Sequence, residues 1–261
     1  IDSDRTLAPS QRSAVINMSL GIDRTSARFF ESEMLLFENA VVAAAEKDVV
    51  LVAASGNDGR ADSIEYPAYY PEVIAVGSVD QNGVISDFSN RGPEQEIVAP
   101  GSETQPDGSN AGLISTVPSN EYDFLAGTSM ATPLVSAAVA LIRSANPYLN
   151  ASEVREILRS SAVDYGPEGR DSAYGFGLVH VEKALRTALA EPYGRFEPSR
   201  VDDAETVERR VEWERITPER RERYAAARSQ VEWDQNRTQF VSILVERARD
   251  TSAISDRDGV R

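Results

Sequence analysis

Three apolar runs, separated by segments with other patterns, limit the folds that this chain can adopt. The runs are AVINMSLG (14–21), VVLVAASGNDG (49–59) and EVIAVGSVD (72–80). Residues 29–47 lie between the first two runs and place apolar side chains at the three- and four-residue spacing of a helix. Strands that are apolar on both faces and are connected by helices are typical of a parallel sheet covered by helices. The sequence therefore predicts an α/β fold with a mostly parallel sheet.

The segment after the third run predicts further strands and helices. Short strands are expected in EIVAP (96–100) and GLISTV (112–117), with a polar, turn-rich surface insertion over 101–112. Three more helices are expected, at 128–145, 146–162 and 174–189. Asn150 and Ser152 are the candidate N-caps of the second of these helices, because short polar side chains favour that position.

The composition changes after Pro192 and divides the chain into a body and an extension. Residues 1–190 carry the strand and helix patterns, whereas residues 191–261 are rich in arginine and glutamate with scattered aromatic residues. A segment of this kind forms either a charged helix or a solvated linker. The start of a further domain and a helix that docks a partner are alternatives that the sequence leaves open.

The overall charge and composition exclude several classes of protein. The 261 residues include 42 acidic and 27 basic side chains, which gives a formal net charge of −15. A surface this acidic repels a phosphate backbone, so we expect no nucleic-acid partner. No window approaches the roughly 18 uninterrupted apolar residues of a membrane span, so none is expected. The chain has no cysteine, which excludes disulfide bonds and thiolate metal sites.

Ser129 occupies a position that suits a nucleophile. It follows Gly127 and Thr128 and begins the long apolar helix predicted over 128–145. Free backbone N–H groups and the helix dipole at such a position favour a developing negative charge. Gly127 leaves room for a substrate backbone, and Thr128 is expected to cap the helix. The alternative is that these residues are only a helix cap, since serine and threonine are favoured there.

The residues around Ser129 distinguish these interpretations, because residues 14–190 resemble the C-terminal two-thirds of a subtilisin-like serine protease. The matching blocks, in family order, are INMSLG, AASGND, YPAYYPEVIAVGSVD, ISDFSNRGPEQEIVAPG, GTSMATP and YGFGLVHVEKAL. The resemblance implies a three-layer subtilisin-like fold whose N-terminal strands are missing from this chain. It also implies that residues 1–190 are a partial peptidase domain, and that the activity is peptide-bond hydrolysis through an acyl-enzyme.

The same resemblance assigns roles to individual residues. Ser129 is implied to be the acylated residue, and Asn57 is implied to donate its side-chain amide to the oxyanion. The edge that pairs with the peptide substrate comprises Ser19, Leu20 and Gly21. One wall of the main specificity pocket comprises Ala54, Ser55 and Gly56. Because these wall residues are small, we expect an open pocket that tolerates large apolar side chains.

Two parts of the family pattern are absent from the sequence. The family order is Asp, His, Ser, and no Asp-[Ser/Thr]-Gly or His-Gly-Thr-His segment precedes Ser129. His180, the one histidine, falls in the closing helix block and is expected to be an ordinary helix-start or surface residue. Leu134 replaces a histidine that usually follows the proline of the nucleophile block, with little expected loss. We expect the Asp and His to lie in sequence that precedes Ile1.

This expectation has two consequences for the chain as it stands. It predicts that residues 1–261 alone are inactive and poorly stable, because a sheet edge and apolar faces would be exposed. The missing N-terminal part of the same protease is then a partner, together with polypeptide substrates. The alternative is a catalytically dead subtilase-like scaffold or binding protein.

The remaining expectations concern ions and location. The resemblance implies that no cofactor is required, and it suggests an extracellular or cell-surface protein. The loop YPAYYPEV resembles one that holds calcium or a monovalent cation in some subtilases. Its ligands would be the backbone oxygens of Ala68, Tyr70 and Val73, which are hard donors suited to such ions. A turn without an ion is the alternative.

Overall fold

The structure is a computed structural model that describes residues 15–27, 31–101, 103–104 and 110–190. The strands are β1 (Val15–Met18), β2 (Val50–Ala54), β3 (Val73–Val79), β4 (Ile97–Pro100), β5 (Glu103–Thr104), β6 (Asn110–Ala111), β7 (Leu113–Val117) and β8 (Glu121–Leu125). The helices are α1 (Arg24–Ala27), α2 (Glu31–Ala45), α3 (Thr128–Ala145), α4 (Ala151–Ser161) and α5 (Val181–Ala190). The charged extension predicted over 191–261 lies outside the described residues.

The main sheet has four strands in the order β1-β2-β3-β4, and all of its pairings are parallel. Val15 of β1 pairs with Val50 of β2, and Leu51 of β2 pairs with Val73 of β3. Every residue of β2 and β3 is buried. This is the burial that their continuous apolar runs predict, since parallel strands are covered on both faces. The predicted α/β class is therefore confirmed.

Alternate residues of the strands build two separate cores, one on each face of the sheet. Val50 and Val52 face a core that α3, α4 and α5 complete. Leu51 and Ala53 face a second core, to which Val41 of α2 contributes. The sheet therefore lies between two helical layers, as the predicted three-layer fold requires. No helix among the described residues is long and apolar enough to cross a membrane.

The helix α3 is the central element of the larger core. Its buried residues include Ala131, Val135, Val139 and Ile142, each with no exposed surface. The following helix α4 begins with a capping box, in which the Asn150 side chain accepts from the Glu153 N–H at 2.9 Å. The Glu153 carboxylate accepts from the Asn150 N–H at 2.6 Å. Asn150, rather than Ser152, is thus the N-cap.

The closing segment is shorter as a helix than its sequence predicts. A helix was expected over 174–189, but α5 begins at Val181. The preceding residues are held in other conformations, because Gly175 and Gly177 have φ values of 63° and 114°. His180 starts α5, and its Nδ1 accepts from the Lys183 N–H at 3.2 Å, so the expectation of a helix-start histidine is confirmed.

A β-hairpin next to the sheet was only half predicted. The expected strand in GLISTV is β7, but its antiparallel partner β8 was not expected from the sequence. Residues 118–120 connect the paired ends Val117 and Glu121, and Ser119 and Asn120 have φ values of 72° and 62° in this connection, which is the left-handed conformation. The hairpin leaves apolar side chains exposed, with Tyr122 72% and Phe124 60% accessible.

A buried ion cluster lies at the amino edge of the sheet, where β3 and β4 begin. Glu96 precedes β4, and its carboxylate accepts from Arg155 Nε at 2.6 Å and from Arg159 Nε at 3.0 Å. Arg155 also donates to the carbonyl oxygens of Pro71 and Val73. Burial raises the pKa of Glu96, but the charges and hydrogen bonds of the two arginines outweigh it and lower the pKa to about 2.

Candidate active site

The predicted site residues meet at the opposite, carboxyl edge of the sheet. Ser19 follows β1 by one residue, Asn57 follows β2 by three residues, and Ser129 lies in the first turn of α3. Parallel strands bring their carboxyl ends to one edge, which is where open α/β sheets place their ligand sites. The packing of α3 on the same strands brings its N-terminus to that edge.

Ser129 is half-buried and is tied to the segment that follows β1. Its Oγ donates to the Ser19 carbonyl oxygen at 3.4 Å. In return, the Ser19 hydroxyl donates to the Ser129 carbonyl oxygen at 2.8 Å. These two bonds fix the predicted nucleophile directly beside the predicted substrate-binding edge.

Asn57 is held in a single orientation by Thr128. Its Oδ1 accepts from the Thr128 N–H at 2.9 Å and from the Thr128 hydroxyl at 2.8 Å. With the carbonyl oxygen occupied in this way, the Nδ2 group is left on the other side of the amide. The expectation that Thr128 caps α3 is therefore wrong: Gly127 is the N-cap, without a side-chain bond, and the Thr128 hydroxyl positions Asn57 instead.

Gly127 keeps a small space open between two N–H donors. A Cβ built at this residue would lie 3.5 Å from Asn57 Nδ2 and 3.6 Å from the Ser129 backbone nitrogen. The φ of Gly127 is 152°, which side chains rarely adopt. Asn57 Oδ1 lies 3.6 Å from the same Cβ position. Two N–H donors that border one space near a hydroxyl can hold the oxyanion of an acyl-transfer reaction.

The residues predicted to line the substrate edge and the specificity pocket follow β1 and lie at the end of β2. Ser19, Leu20 and Gly21 are exposed, whereas Ala54, Ser55 and Gly56 are buried. Residues 65–66 connect the walls, because the Glu65 N–H donates to the Ser55 carbonyl at 3.0 Å. Tyr66 and Ile22 exchange two backbone hydrogen bonds, at 2.8 and 3.0 Å.

The Glu65 side chain occupies the space between the walls, and sequence reasoning missed it. A Cβ on Gly56 would lie 2.7 Å from Glu65 Cδ, and one on Gly21 would lie 3.0 Å from the same atom. The expected open and apolar pocket therefore needs correction, because a carboxylate lies within it. The signal in the sequence was a charged residue directly before the block YPAYYPEV.

Other acidic groups surround this carboxylate. Burial, then the charge and hydrogen bond of Asp58, then the charge of Asp23 raise the pKa of Glu65 to about 7, against a lowering by Arg60. Arg60 is itself bound to Asp23, and its Nη2 lies 3.2 Å from Asp58 Oδ2. Burial raises the pKa of Asp23, but hydrogen bonds from Thr25, Ser26 and Arg60 hold it at about 2.

The predicted cation site has carbonyl groups that already accept hydrogen bonds. The Tyr70 carbonyl accepts from the Val73 N–H at 3.0 Å. The Val73 carbonyl accepts from the Arg155 guanidinium at 3.2 Å. A guanidinium at this oxygen competes with a metal cation for the same lone pairs, so the donor set fits an ion poorly. An ion at Ala68, Tyr70 and Val73 stays a prediction.

No base for Ser129 lies within the described part of the chain. Within residues 15–27, 31–101, 103–104 and 110–190, the structure records no hydrogen bond from Ser129 to a histidine or a carboxylate. His180 is engaged at the start of α5, where its Nδ1 accepts from Lys183. The described residues therefore contain a hydroxyl and two N–H donors, without the Asp and His of the family order.

Comparison with known proteins agrees with this geometry. The model of the subtilase family of peptidases matches residues 3–177. Subtilisin DY from Bacillus licheniformis is 45% identical over 176 residues, which cover 66% of this chain and 57% of that protein. Subtilisin Savinase from Lederbergia lenta is 41% identical over 172 residues, covering 66% and 56%. The Minor extracellular protease Epr of Bacillus subtilis (strain 168) is 36% identical over 170 residues, covering 65% and 24%.

A solved structure extends the likeness to the fold. The crystal structure of a lanthipeptide protease superposes with a TM-score of 0.58 at 27% identity, covering 71% of this chain and 63% of that one. The chain spans little more than half the length of subtilisin DY and subtilisin Savinase. The family match covers most of the chain and includes the segments that carry Ser19, Asn57 and Ser129. This chain belongs to the subtilase family of serine proteases.

Proposed function

We propose that the protein is a serine endopeptidase that hydrolyses peptide bonds through an acyl-enzyme on Ser129. The observation that carries this proposal is the orientation of Asn57. The N–H and the hydroxyl of Thr128 both donate to the Asn57 side-chain carbonyl oxygen. The Asn57 Nδ2 group and the Ser129 N–H then both border the space over Gly127. A helix cap alone does not need this arrangement, whereas an oxyanion does.

The chemistry follows from these positions. The Ser129 hydroxyl attacks the carbonyl carbon of the scissile bond and gives its proton to a base. The carbonyl oxygen becomes an oxyanion that accepts hydrogen bonds from Asn57 Nδ2 and from the Ser129 N–H. As this intermediate collapses, the protonated base gives its proton to the leaving amine nitrogen, the C–N bond breaks and the acyl group stays on Ser129. Water, deprotonated by the same base, then attacks the ester carbonyl, and cleavage of the ester bond releases the carboxylic acid and returns the proton to Ser129. No step needs a cofactor.

The base and its orienting carboxylate come from outside the described residues in this proposal. We infer that an Asp and a His are supplied by sequence N-terminal to this chain, in the order of the family. That sequence is then the partner that completes the site. Residues 1–190 are accordingly part of a peptidase domain, and 191–261 are a separate extension.

Polypeptide substrates suit the exposed segment that follows β1. Ser19, Leu20 and Gly21 are exposed residues beside Ser129, so that an extended peptide can add to this edge as a further strand. One relative is named an extracellular protease. We infer an extracellular or cell-surface location for this protein on that basis.

A second candidate function is a binding scaffold without catalysis. It is favoured by one observation: the described residues hold Ser129 near the Ser19 carbonyl without a base. Both candidates use the same cleft. They differ in whether Ser129 becomes nucleophilic when the full-length gene product is assembled.

The two candidates are separated by labelling with a fluorophosphonate that reacts with activated serines. The full-length gene product containing this chain is compared with its Ser129→Ala and Asn57→Ala variants. We expect stoichiometric labelling of the parent, none of Ser129→Ala, and peptide turnover by Asn57→Ala lowered about 10²–10³-fold, the loss known for the equivalent donor in a subtilisin. A folded parent that is neither labelled nor active supports the scaffold.

A further inference from the structure

We propose that Glu65 selects substrates with arginine or lysine at P1, the residue whose carbonyl is attacked. This inference rests on the proposed peptidase function and names its substrate class. It departs from the apolar preference that the small wall residues suggest.

The position of Glu65 is the first step. Its carboxyl carbon lies against both Gly21 and Gly56, where added Cβ atoms would come within 3.0 and 2.7 Å. Gly21 is two residues from Ser19, which contacts Ser129, and Gly56 precedes Asn57. A P1 side chain that leaves the substrate backbone at Ser129 and enters between these walls therefore meets the Glu65 carboxylate.

The attachment of Glu65 is the second step. Its N–H is bonded to the Ser55 carbonyl, and the next residue, Tyr66, pairs with Ile22. The Asn90 side chain also binds this region, since its Oδ1 accepts from the N–H groups of Asp58 and Arg60 at 3.0 Å each. The carboxylate is thus carried by backbone that is bonded to both walls, so it stays in the pocket.

The charge balance is the third step. Three carboxylates, of Asp23, Asp58 and Glu65, share one neighbouring guanidinium, that of Arg60. Arg60 is bound to Asp23 and lies close to Asp58. Among the described residues, Glu65 therefore has a hydrogen bond with Asp58 but no recorded ion pair with a cation. An entering guanidinium or ammonium group supplies the missing positive charge, and charge-assisted hydrogen bonds to a partly buried carboxylate are among the strong ones.

The long side chains of lysine and arginine also fit the walls. Their methylene stems can lie along small apolar surface while the charged end reaches a polar group. Ala54, Ser55 and Gly56 provide such a wall, and Gly21 faces it. A large aromatic side chain, by contrast, would bury the Glu65 carboxylate without supplying a positive charge, which is costly.

Ionisation of Glu65 adds a dependence on pH. The charged groups that face it are Asp58, Asp23 and Arg60. Burial raises the pKa of Glu65 most, Asp58 and Asp23 raise it further, and Arg60 lowers it, so that it lies at about 7. Above pH 7 the carboxylate is charged and attracts a basic P1 side chain. Below pH 7 it becomes neutral, and discrimination against an apolar P1 side chain weakens.

The test compares matched peptide substrates that differ only at P1, with Arg, Lys or Phe. The full-length gene product is assayed beside Glu65→Gln and beside Asp62→Asn, which removes one acidic charge from an exposed position in the same loop. We expect kcat/KM for P1 Arg over Phe to fall about 10–100-fold in Glu65→Gln, with little change in Asp62→Asn. We also expect the parent's ratio to rise through pH 7, a step that Glu65→Gln loses.

A binding experiment keeps this inference separate from the peptidase proposal. Benzamidine, an arginine mimic, and neutral benzamide are titrated into the full-length gene product carrying Ser129→Ala. Tighter benzamidine binding that Glu65→Gln abolishes supports the pocket even if no peptide is cleaved, in which case only the peptidase proposal fails. Equal binding of the two compounds, or a P1 Phe preference that Glu65→Gln leaves unchanged, overturns the inference.

Discussion

Two glutamates at opposite edges of the sheet differ in what the fold supplies around them. Glu96, at the amino edge, is buried and binds Arg155 and Arg159, and its pKa is lowered to about 2. Glu65, at the carboxyl edge, is half-buried beside Asp58 and Asp23, and its pKa is raised to about 7. The carboxylate of Glu96 is therefore paired with two guanidinium groups, whereas the carboxylate of Glu65 lies among acidic neighbours.

This difference indicates separate roles for the two edges. A carboxylate that is ion-paired within the fold, as Glu96 is, contributes to stability. Its oxygens already accept hydrogen bonds from arginine and are not available to a ligand. A carboxylate that the fold leaves among like charges costs stability, and such perturbed groups cluster at functional sites. Glu65 lies beside Ser19, Asn57 and Ser129, whereas Glu96 lies at the other end of the strands. Stability is expected to depend on the amino edge and turnover on the carboxyl edge.

The largest effect is expected at the amino edge. Glu96→Gln leaves the guanidinium groups of Arg155 and Arg159 without their carboxylate, which should lower the free energy of unfolding by about 3–5 kcal/mol. Because the folded pKa is depressed, the parent's contribution from Glu96 is present above pH 4.5 and is lost as the pH falls towards 2. Urea denaturation of the full-length gene product in a Ser129→Ala background measures the loss of unfolding free energy in Glu96→Gln and, repeated between pH 2 and pH 7, its dependence on pH.

The matched control for this prediction is Glu182→Gln, which breaks an exposed ion pair with Arg186. Such a pair contributes little, so the change should stay below about 0.5 kcal/mol. A Glu96→Gln protein that is as stable as this control would contradict the role assigned to the amino edge.

A smaller effect is expected at Thr128, and it should appear in turnover rather than stability. Thr128→Val keeps the shape of the side chain but removes the hydroxyl that donates to Asn57 Oδ1. The amide of Asn57 is then less well oriented, and kcat should fall about fivefold, since one hydrogen bond contributes about 1 kcal/mol. Thr128→Ser retains the donor and should restore kcat.

Steady-state kinetics with one peptide substrate distinguish positioning from folding. The account requires a lower kcat with an almost unchanged KM and melting temperature for Thr128→Val. If kcat of Thr128→Ser is as low as that of Thr128→Val, or if both variants have a lowered melting temperature, the hydroxyl does not act through Asn57.

The smallest effect is expected on the stability of Glu65→Gln. The folded pKa of Glu65 is raised above its ordinary value of 4.5, so the stability that the neutral form contributes is lost as the pH rises through 7. Above pH 7 the neutral glutamine should therefore be more stable than the parent. The shift alone corresponds to roughly 3 kcal/mol, and solvent screening of this half-buried group reduces the expected difference to about 1 kcal/mol. Below pH 4.5 the two proteins should unfold alike. Thermal melts at pH 4 and pH 8 measure the difference, and a loss of stability at pH 8 would contradict it.

Much of this arrangement could be predicted from local sequence. The apolar runs that became β2 and β3 are buried along their whole length, because continuous apolar runs have one stable environment in a parallel sheet. The resemblance to subtilases assigned Ser19, Asn57 and Ser129 to one site, and the structure brings them together because each follows a strand or begins a helix at the same edge. Their convergence is set by topology.

The features that were missed depend on contacts between distant segments. The bridge between Ile22 and Tyr66 carries Glu65 into the pocket, and no local pattern in the loop predicts that pairing. The strand β8 was missed because all five of its residues are exposed. A strand without a buried face does not show the alternation of apolar and polar residues by which strands are predicted. The bond from Thr128 to Asn57 joins residues 71 positions apart, and local preference indicated a helix cap instead.

The most direct test of the account is a cleavage profile of the full-length gene product on a peptide library at pH 8. Mass spectrometry of the products identifies the residue before each broken bond. The account predicts that arginine and lysine dominate this position and that the enrichment disappears in Glu65→Gln, while cleavage itself continues. Cleavage after large apolar residues in both proteins, or an absence of cleavage by a folded parent, would contradict it.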